Sequence, residues 1–194
     1  RKATAGSRLA APEFVLGHKP LWQFLVPMEG GRWQPHELAF DPQKKELFNV
    51  FGDENRRAGE WGHWTGRGMN WNSMCAHCHM TAFHKNYDPA TDSYRSTWVE
   101  HGIGCIQCHG VMPASHGKNK NPPPKPPLTP EQLQAKRQVA MQTCAPCHAR
   151  NELLTGEFQP GDNYFDHHRV TLPVEPGVYW PDGQQRDEDF NWTS

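Results

Sequence analysis

A surplus of charge of one sign is missing from this 194-residue chain, in which 20 Lys and Arg stand against 21 Asp and Glu for a formal net charge of −1. Nucleic acid and anionic membrane surfaces both call for a basic patch, so neither is expected as a main partner. Long apolar runs are missing as well. No stretch approaches the length that spans a bilayer, so no transmembrane segment is expected, and no apolar signal-peptide core stands at the start. Leu, Ile, Val and Phe together number only 31 of 194 residues, 16%, which is thin for a chain that must fill its own interior. Such scarcity goes with disorder when the net charge is large, and here the charge is close to zero. The interior must therefore be filled by something besides aliphatic side chains.

What is present is one five-residue word in three copies: Cys75-Ala-His-Cys78-His79, Cys105-Ile-Gln-Cys108-His109 and Cys144-Ala-Pro-Cys147-His148. Together they use all six cysteines. Each copy reads as a covalent attachment site for haem c. Two thiols three positions apart can both reach the vinyl groups of one porphyrin as thioethers, and the histidine directly after them then falls beneath the ring as the proximal iron ligand. A disulfide framework gives no reason for a histidine to follow every second cysteine. At this histidine frequency three such coincidences arise roughly once in several thousand tries. A four-cysteine zinc site from Cys75, Cys78, Cys105 and Cys108 leaves the third pair without partners. A thioredoxin-like centre is expected once, near a βαβ pattern, and the chain has none.

Three covalently bound haem c groups resolve the thin composition. Porphyrins are large flat apolar surfaces, so a haem-centred core is expected, and the haem-free chain is expected to fold poorly. The chain opens on Arg1 rather than Met, which reads as a processed or partial product. Because haem is attached to such motifs on the outer face of the bacterial inner membrane, the expected location is periplasmic or extracellular, with a signal peptide already removed.

The fold class expected is a mainly α and irregular multihaem cytochrome c with a small N-terminal β-meander. Residues 1–13 read as a loose arm. Residues 14–51 read as the meander, with strands at Leu21–Val26, His36–Phe40 and Glu46–Phe51 separated by the turn chemistries Gly30-Gly31 and Asp41-Pro42. Residues 52–117, rich in Gly, Trp, His and Asn, read as the region of haems 1 and 2. Residues 118–128 form a proline-rich, polyproline-like connector. In the last segment, 129–194, Thr129-Pro130-Glu131-Gln132 supplies an N-cap, a first-position proline and a capping-box glutamine. A helix is expected from there to about Cys147, with Leu133, Val139, Ala140 and Met141 on an apolar side and the third haem motif at its end. An irregular C-terminal segment follows. The tryptophans at 22, 33, 61, 64, 71, 98, 180 and 192 are expected against porphyrin faces.

The mechanistic question is which histidines close the far side of each iron. His77 lies inside a motif and is badly placed for its own iron, and His18 and His36 fall in the meander. His63, His84, His101, His116, His167 and His168 flank the motifs and leave six candidates for three places. Met69, Met74, Met80, Met112 and Met141 are alternative ligands that would raise the potential, whereas the histidine supply favours bis-histidine, lower-potential haems.

The stretches HWTGRGMNWNSMCAHCH at 63–79, KNYDPATDSY at 85–94, GCIQCHG at 104–110 and CAPCHARNELLTG at 144–156, with GHKPLWQFLVPMEGGRWQ at 17–34 and DGQQRDE at 182–188, resemble a family of bacterial multihaem cytochromes c. This is the doubled-CxxCH group related to cytochrome c-554, whose longer members often carry tetratricopeptide repeats. The resemblance covers most of the chain from Gly17 onward. It implies distal iron ligands at the histidine opening the HWTG word, at one several residues beyond the second motif, and in a D-H-x-R word. Here those are His63, His116 and His167, with His84, His101 and His168 as alternates. Family members usually carry further haem motifs before and after this region, which points to a fragment or a minimal version. Where the word preceding DGQ often has a histidine, this chain has Tyr179-Trp180-Pro181.

Three haems in 194 residues is a dense loading. The function expected is an electron carrier whose bis-His, low-spin haems relay electrons by outer-sphere transfer to redox partner proteins, other cytochrome subunits among them. Two alternatives stand beside it. One is a multihaem oxidoreductase of the nitrite or hydroxylamine type with one open haem. The other is an electron-conducting subunit of a larger assembly. No catalytic residue is assigned.

Overall fold

Turn chemistry sets the first part of the fold. The computed structural model describes residues 11–113, 117, 125–156, 158–172 and 180–181. In chain order the elements are strands β1 (Phe14–Leu16), β2 (Trp22–Met28), β3 (Arg32–Asp41) and β4 (Glu46–Asn49), helices α1 (Trp71–Met74) and α2 (Ala76–His79), strands β5 (Met80–Thr81), β6 (Tyr87–Asp88), β7 (Ser93–Tyr94) and β8 (Glu100–His101), helices α3 (Ile106–His109) and α4 (Pro130–His148), strand β9 (Asn151–Leu153), helix α5 (Tyr164–His167) and strand β10 (His168–Val170). Among the described residues helix and strand contribute alike, about 27% each. The backbone divides into two units: Arg1–His79 with Phe83–Trp98, and Met80–Ala82 with Val99–Ser194. The division passes between the first and second cysteine motifs.

In the first unit β1 to β4 form an antiparallel meander in sequential order. The β2–β3 turn carries Gly30 and Gly31 at φ +71° and +69°, and a Cβ on Gly31 would run into the Tyr94 carbonyl, so this tight connection needs glycine twice over. At the β3–β4 turn the Asp41 side chain accepts from the Gln43 N–H at 2.8 Å and the Lys44 N–H at 3.0 Å. These bonds, that from Lys44 foremost, hold the carboxyl below its usual range. β3 starts four residues before the expected strand and runs through Pro35, which pairs with Leu25 of β2. β4 pairs only with Leu38–Asp41, so β3 is an edge at Pro35 and a residue without an N–H is tolerated there.

Leu25, Val26 and Ala39 of the sheet are buried. Beside them stands an aromatic cluster in which Trp71 of α1, 1% exposed, meets Trp33, Trp98 and Phe83 edge to face at 5.8, 5.9 and 6.0 Å. Trp33 and Trp98 also meet at 5.6 Å, and Phe14 packs on both. Such pairs each add about 0.5–1.5 kcal/mol beyond burial. Asn72, also 1% exposed, ties α1 to this core. Its Oδ1 accepts the Trp33 N–H at 2.8 Å and its Nδ2 donates to the Gly31 carbonyl and to Ser96 Oγ at 3.2 and 2.9 Å. The tryptophans expected against porphyrin faces thus divide, and Trp33, Trp71 and Trp98 pack on one another. Trp192 lies outside the described residues.

The second unit is built from short pieces. β5 pairs with β8, and β9 with β10, both antiparallel. α4 carries the expected capping box, the Thr129 hydroxyl accepting from the Gln132 N–H and the Gln132 side chain accepting from the Thr129 N–H at 3.0 Å. Residues 130–141 of this helix are exposed, so the apolar side expected at Leu133, Val139 and Met141 packs on none of the described residues. The helix is long enough, and well enough capped, to start without a packed face.

Candidate metal and cofactor site

The three five-residue words adopt one local shape, a single helical turn that brings each cysteine pair and its histidine together. In the first, Asn70 caps α1 through its side chain, which accepts the Asn72 N–H at 3.1 Å. Cys75 ends α1 with its N–H on the Trp71 carbonyl at 3.0 Å, and Cys78 returns an N–H to the Cys75 carbonyl at 3.2 Å. Burial, with the neighbouring Cys78 thiol adding to it, pushes the Cys75 thiol up to about 12. It is therefore a protonated thiol at neutral pH.

The second word sits on α3, begun at Cys105 and closed by Gly110, whose φ is +66° and whose N–H returns to the Ile106 carbonyl at 2.9 Å. Thr81, fully buried, is the hub beneath it. Its hydroxyl donates to the Gly102 carbonyl at 2.6 Å and accepts the Gly104 N–H at 2.7 Å. Gln107, inside the word, accepts the Ala82 N–H at 2.7 Å. Spacing marks neither residue: any residue type satisfies the variable position that Gln107 fills, and Thr81 lies outside the words.

The third word is the last turn of α4. Pro146, buried within it, removes one helical N–H. At the helix end the Asn151 Nδ2 donates to the Ala149 carbonyl at 2.5 Å, and the Pro146 and Ala145 carbonyls lie at 3.3 and 3.4 Å.

Among the described residues no three His, Cys, Asp or Glu side chains converge on a point where a metal ion would sit. None of the six cysteines is in a disulfide. The donor sets instead fit three separate haem c groups. His79, His109 and His148 are all exposed, and within each word thiols and imidazole share one turn. Trp71 Nε1, one turn ahead of Cys75, is a buried donor with no partner among the described residues. When bound, a haem of this type supplies one-electron iron chemistry.

The candidate distal histidines fall in different settings. His63 lies in the first unit, in a loop held by the Gln34 amide on the Gly66 carbonyl at 2.9 Å and by the Arg56 guanidinium on the Gly62 carbonyl at 2.6 Å. Side chains on Gly66 and Gly68 would meet the Trp61 carbonyl and indole, which explains the glycine spacing of this loop. His63 Nδ1 is 2.7 Å from Thr65 Oγ1. His84, exposed, is bridged through its backbone to Thr97. His101 is exposed on β8. His116 lies outside the described residues. His167 ends α5 with Nδ1 2.5 Å from Thr155 Oγ1 and Nε2 3.6 Å from the Asp162 carboxylate. β10 starts directly after His167 and pairs with β9, Val170 opposite Asn151, whose side chain holds the end of α4, and so links His167 to the third word. His168 is buried and stacked on Tyr164 at 4.7 Å, a structural setting that distinguishes it from its neighbour. Of the histidines assigned elsewhere, His36 turns Nδ1 onto the Leu38 N–H at 2.9 Å, and burial lowers the pKa of both His36 and His77.

Residues 52–110, which contain the first two words, match the family described as cytochrome c554 and c-prime. No curated protein matches the chain. Among solved structures, the outer cell wall cytochrome OcwA is similar to it at 19% identity and a TM-score of 0.47, over 87% of this chain and 35% of that one. The chain thus spans about a third of that cytochrome's length. No helix among the described residues is long and apolar enough to cross a membrane. The segment that carries the first two words is similar to the cytochrome c554 and c-prime family.

Proposed function

We propose that the chain is an electron carrier with three covalent haem c groups. Cys75 and Cys78, Cys105 and Cys108, and Cys144 and Cys147 form the thioethers. His79, His109 and His148 are the proximal ligands, and His63, His116 and His167 the distal ones, with His84, His101 and His168 as alternates. The observation that carries the reading is the repetition of one helical turn, two thiols and an exposed imidazole, in three different structural surroundings. A ligand set closed on both sides leaves the iron coordination unchanged between oxidation states, so little reorganises when an electron moves. Redox partner proteins take and deliver the electrons, and the location that goes with covalent haem attachment is periplasmic or extracellular.

The test is spectroscopic. Mass spectrometry of the purified protein should show three haems added to the chain. EPR of the ferric protein should show only low-spin signals, unchanged by nitrite, and the optical spectrum of the reduced protein should be unchanged by carbon monoxide. A high-spin iron that binds these ligands would replace the carrier with an oxidoreductase reading.

A further inference from the structure

Two of the candidate distal histidines are held in the same way by unrelated pieces of structure. His63 Nδ1 lies 2.7 Å from the hydroxyl of Thr65, two residues on in the same turn, and His167 Nδ1 lies 2.5 Å from the hydroxyl of Thr155, twelve residues earlier on the loop after β9. We propose that Thr65 and Thr155 are positioning residues that hold the ring orientation of two axial imidazoles and partner Nδ1 in either tautomer. The inference rests on the distal-ligand reading above.

An imidazole that binds iron through Nε2 must keep its proton on Nδ1, and that N–H needs an acceptor that also stops the ring from turning. The surroundings of both histidines otherwise favour the opposite tautomer. The Thr65 backbone N–H points at His63 Nδ1 from 3.2 Å, an approach that requires a bare Nδ1. The Asp162 carboxylate, itself held by the Gln159 N–H at 2.8 Å, lies 3.6 Å from His167 Nε2 and favours a proton there. A backbone amide can only donate and a carboxylate can only accept, whereas a hydroxyl does either. Each threonine can therefore donate to a bare Nδ1 before ligation and accept from Nδ1–H after it. Were Nε2 to bind a metal, the proton would stand on Nδ1, where the threonine hydroxyl would accept it. A neutral hydroxyl also leaves the ligand with less imidazolate character than a carboxylate partner would.

The test uses the haem-loaded protein with Thr65→Val and Thr155→Val, which keep side-chain volume and remove the hydroxyl, beside Thr65→Ser and Thr155→Ser, which keep it. Haem content is checked by mass. Each valine variant should change the EPR g-values of one low-spin haem and raise that haem's midpoint potential, and each serine variant should restore both. His63→Ala and His167→Ala separate the two levels. If these alanine variants each turn one haem high-spin while the valine variants match the wild type, the threonine role is overturned and the ligand reading stands. If the alanine variants leave every haem low-spin, both fall. Should valine prevent haem loading, the serine variants decide: wild-type g-values support the role, and altered ones overturn it.

Discussion

The two units solve the problem of a thin apolar composition differently. The first buries Leu25, Val26, Ala39, Trp71 and Ala76 with protein alone, and its inward polar groups Asn70 and Asn72 are hydrogen-bonded. The second buries little among its described residues besides Met80, Thr81, Pro146, Tyr164 and His168. It leaves Val111 92% exposed and Val99, Phe165 and Met141 more than 60% exposed. Exposed apolar surface of this kind, close in sequence to the second and third words, is what a porphyrin or a partner would cover. One unit gathers Phe14, Trp33, Trp71, Phe83 and Trp98 into one aromatic cluster, whereas the described aromatic contacts of the other are the smaller group of Phe158, Tyr164, Phe165, His167 and His168.

The widest test of that contrast is to express the chain without haem attachment. The near-ultraviolet dichroism of the tryptophan cluster should survive, while limited proteolysis should cut within 99–172 at least ten times faster than within 14–79. Equal cutting rates would erase the distinction between the units. Next in size, Trp71→Ala should cost about 3–5 kcal/mol in the urea unfolding of the first unit, with the optical signatures of haems 2 and 3 unchanged. Asn72→Ala leaves the Trp33 N–H without its acceptor in a buried site and should cost about 1–3 kcal/mol on the same transition. In the second unit, Asn151→Ala removes the donor to the last carbonyls of α4 and should lower stability by about 1 kcal/mol, with the third haem's EPR signal broadened.

The smallest effect expected is one of acidity. Asp92 accepts from Tyr87 at 2.8 Å and pairs with Arg32 and Arg67 at 2.6 and 2.9 Å. The Tyr87 hydroxyl, and after it the two guanidinium groups, hold its carboxyl below the usual range. A depressed folded pKa contributes stability above the unfolded value and loses it as pH falls through the folded one. The first unit should therefore weaken on acidification, and Asp92→Asn should flatten that slope. An unchanged slope in the variant would show that other carboxylates dominate.

Much of this layout is legible in the sequence where chemistry is local. The cysteine words declare themselves by spacing, the capping box at Thr129 and Gln132 marks the start of α4, and the paired glycines mark the β2–β3 turn. Contacts between residues distant in sequence are not legible. The strand expected from His36 leaves Pro35 outside it, because nothing local tells that β4 stops short of Pro35 and leaves an edge. The tryptophans read as haem packing because porphyrin seemed the main apolar partner on offer, yet Trp33, Trp71 and Trp98 find one another across 65 residues. Gln107, in a variable position of the second word, and Thr81 and Asn151, outside the words altogether, are polar residues whose roles follow from which backbone groups the fold brings to them. The pairing of His63 with Thr65 and of His167 with Thr155 is of the same kind.

The path of the chain through the two units has a consequence for the order of assembly. Unit one is interrupted by Met80–Ala82 and resumes at Phe83, and its last member is Trp98. A chain delivered from its N-terminal end therefore presents every described residue of the tryptophan core before Cys105 emerges. The first attachment word can be served while the second is still unavailable. By contrast, Met80–Ala82 must wait for Gly104 and Gln107, which give them their hydrogen bonds. The three residues after His79 thus have their partners from Val99 to Gln107, later in the chain than the whole tryptophan core.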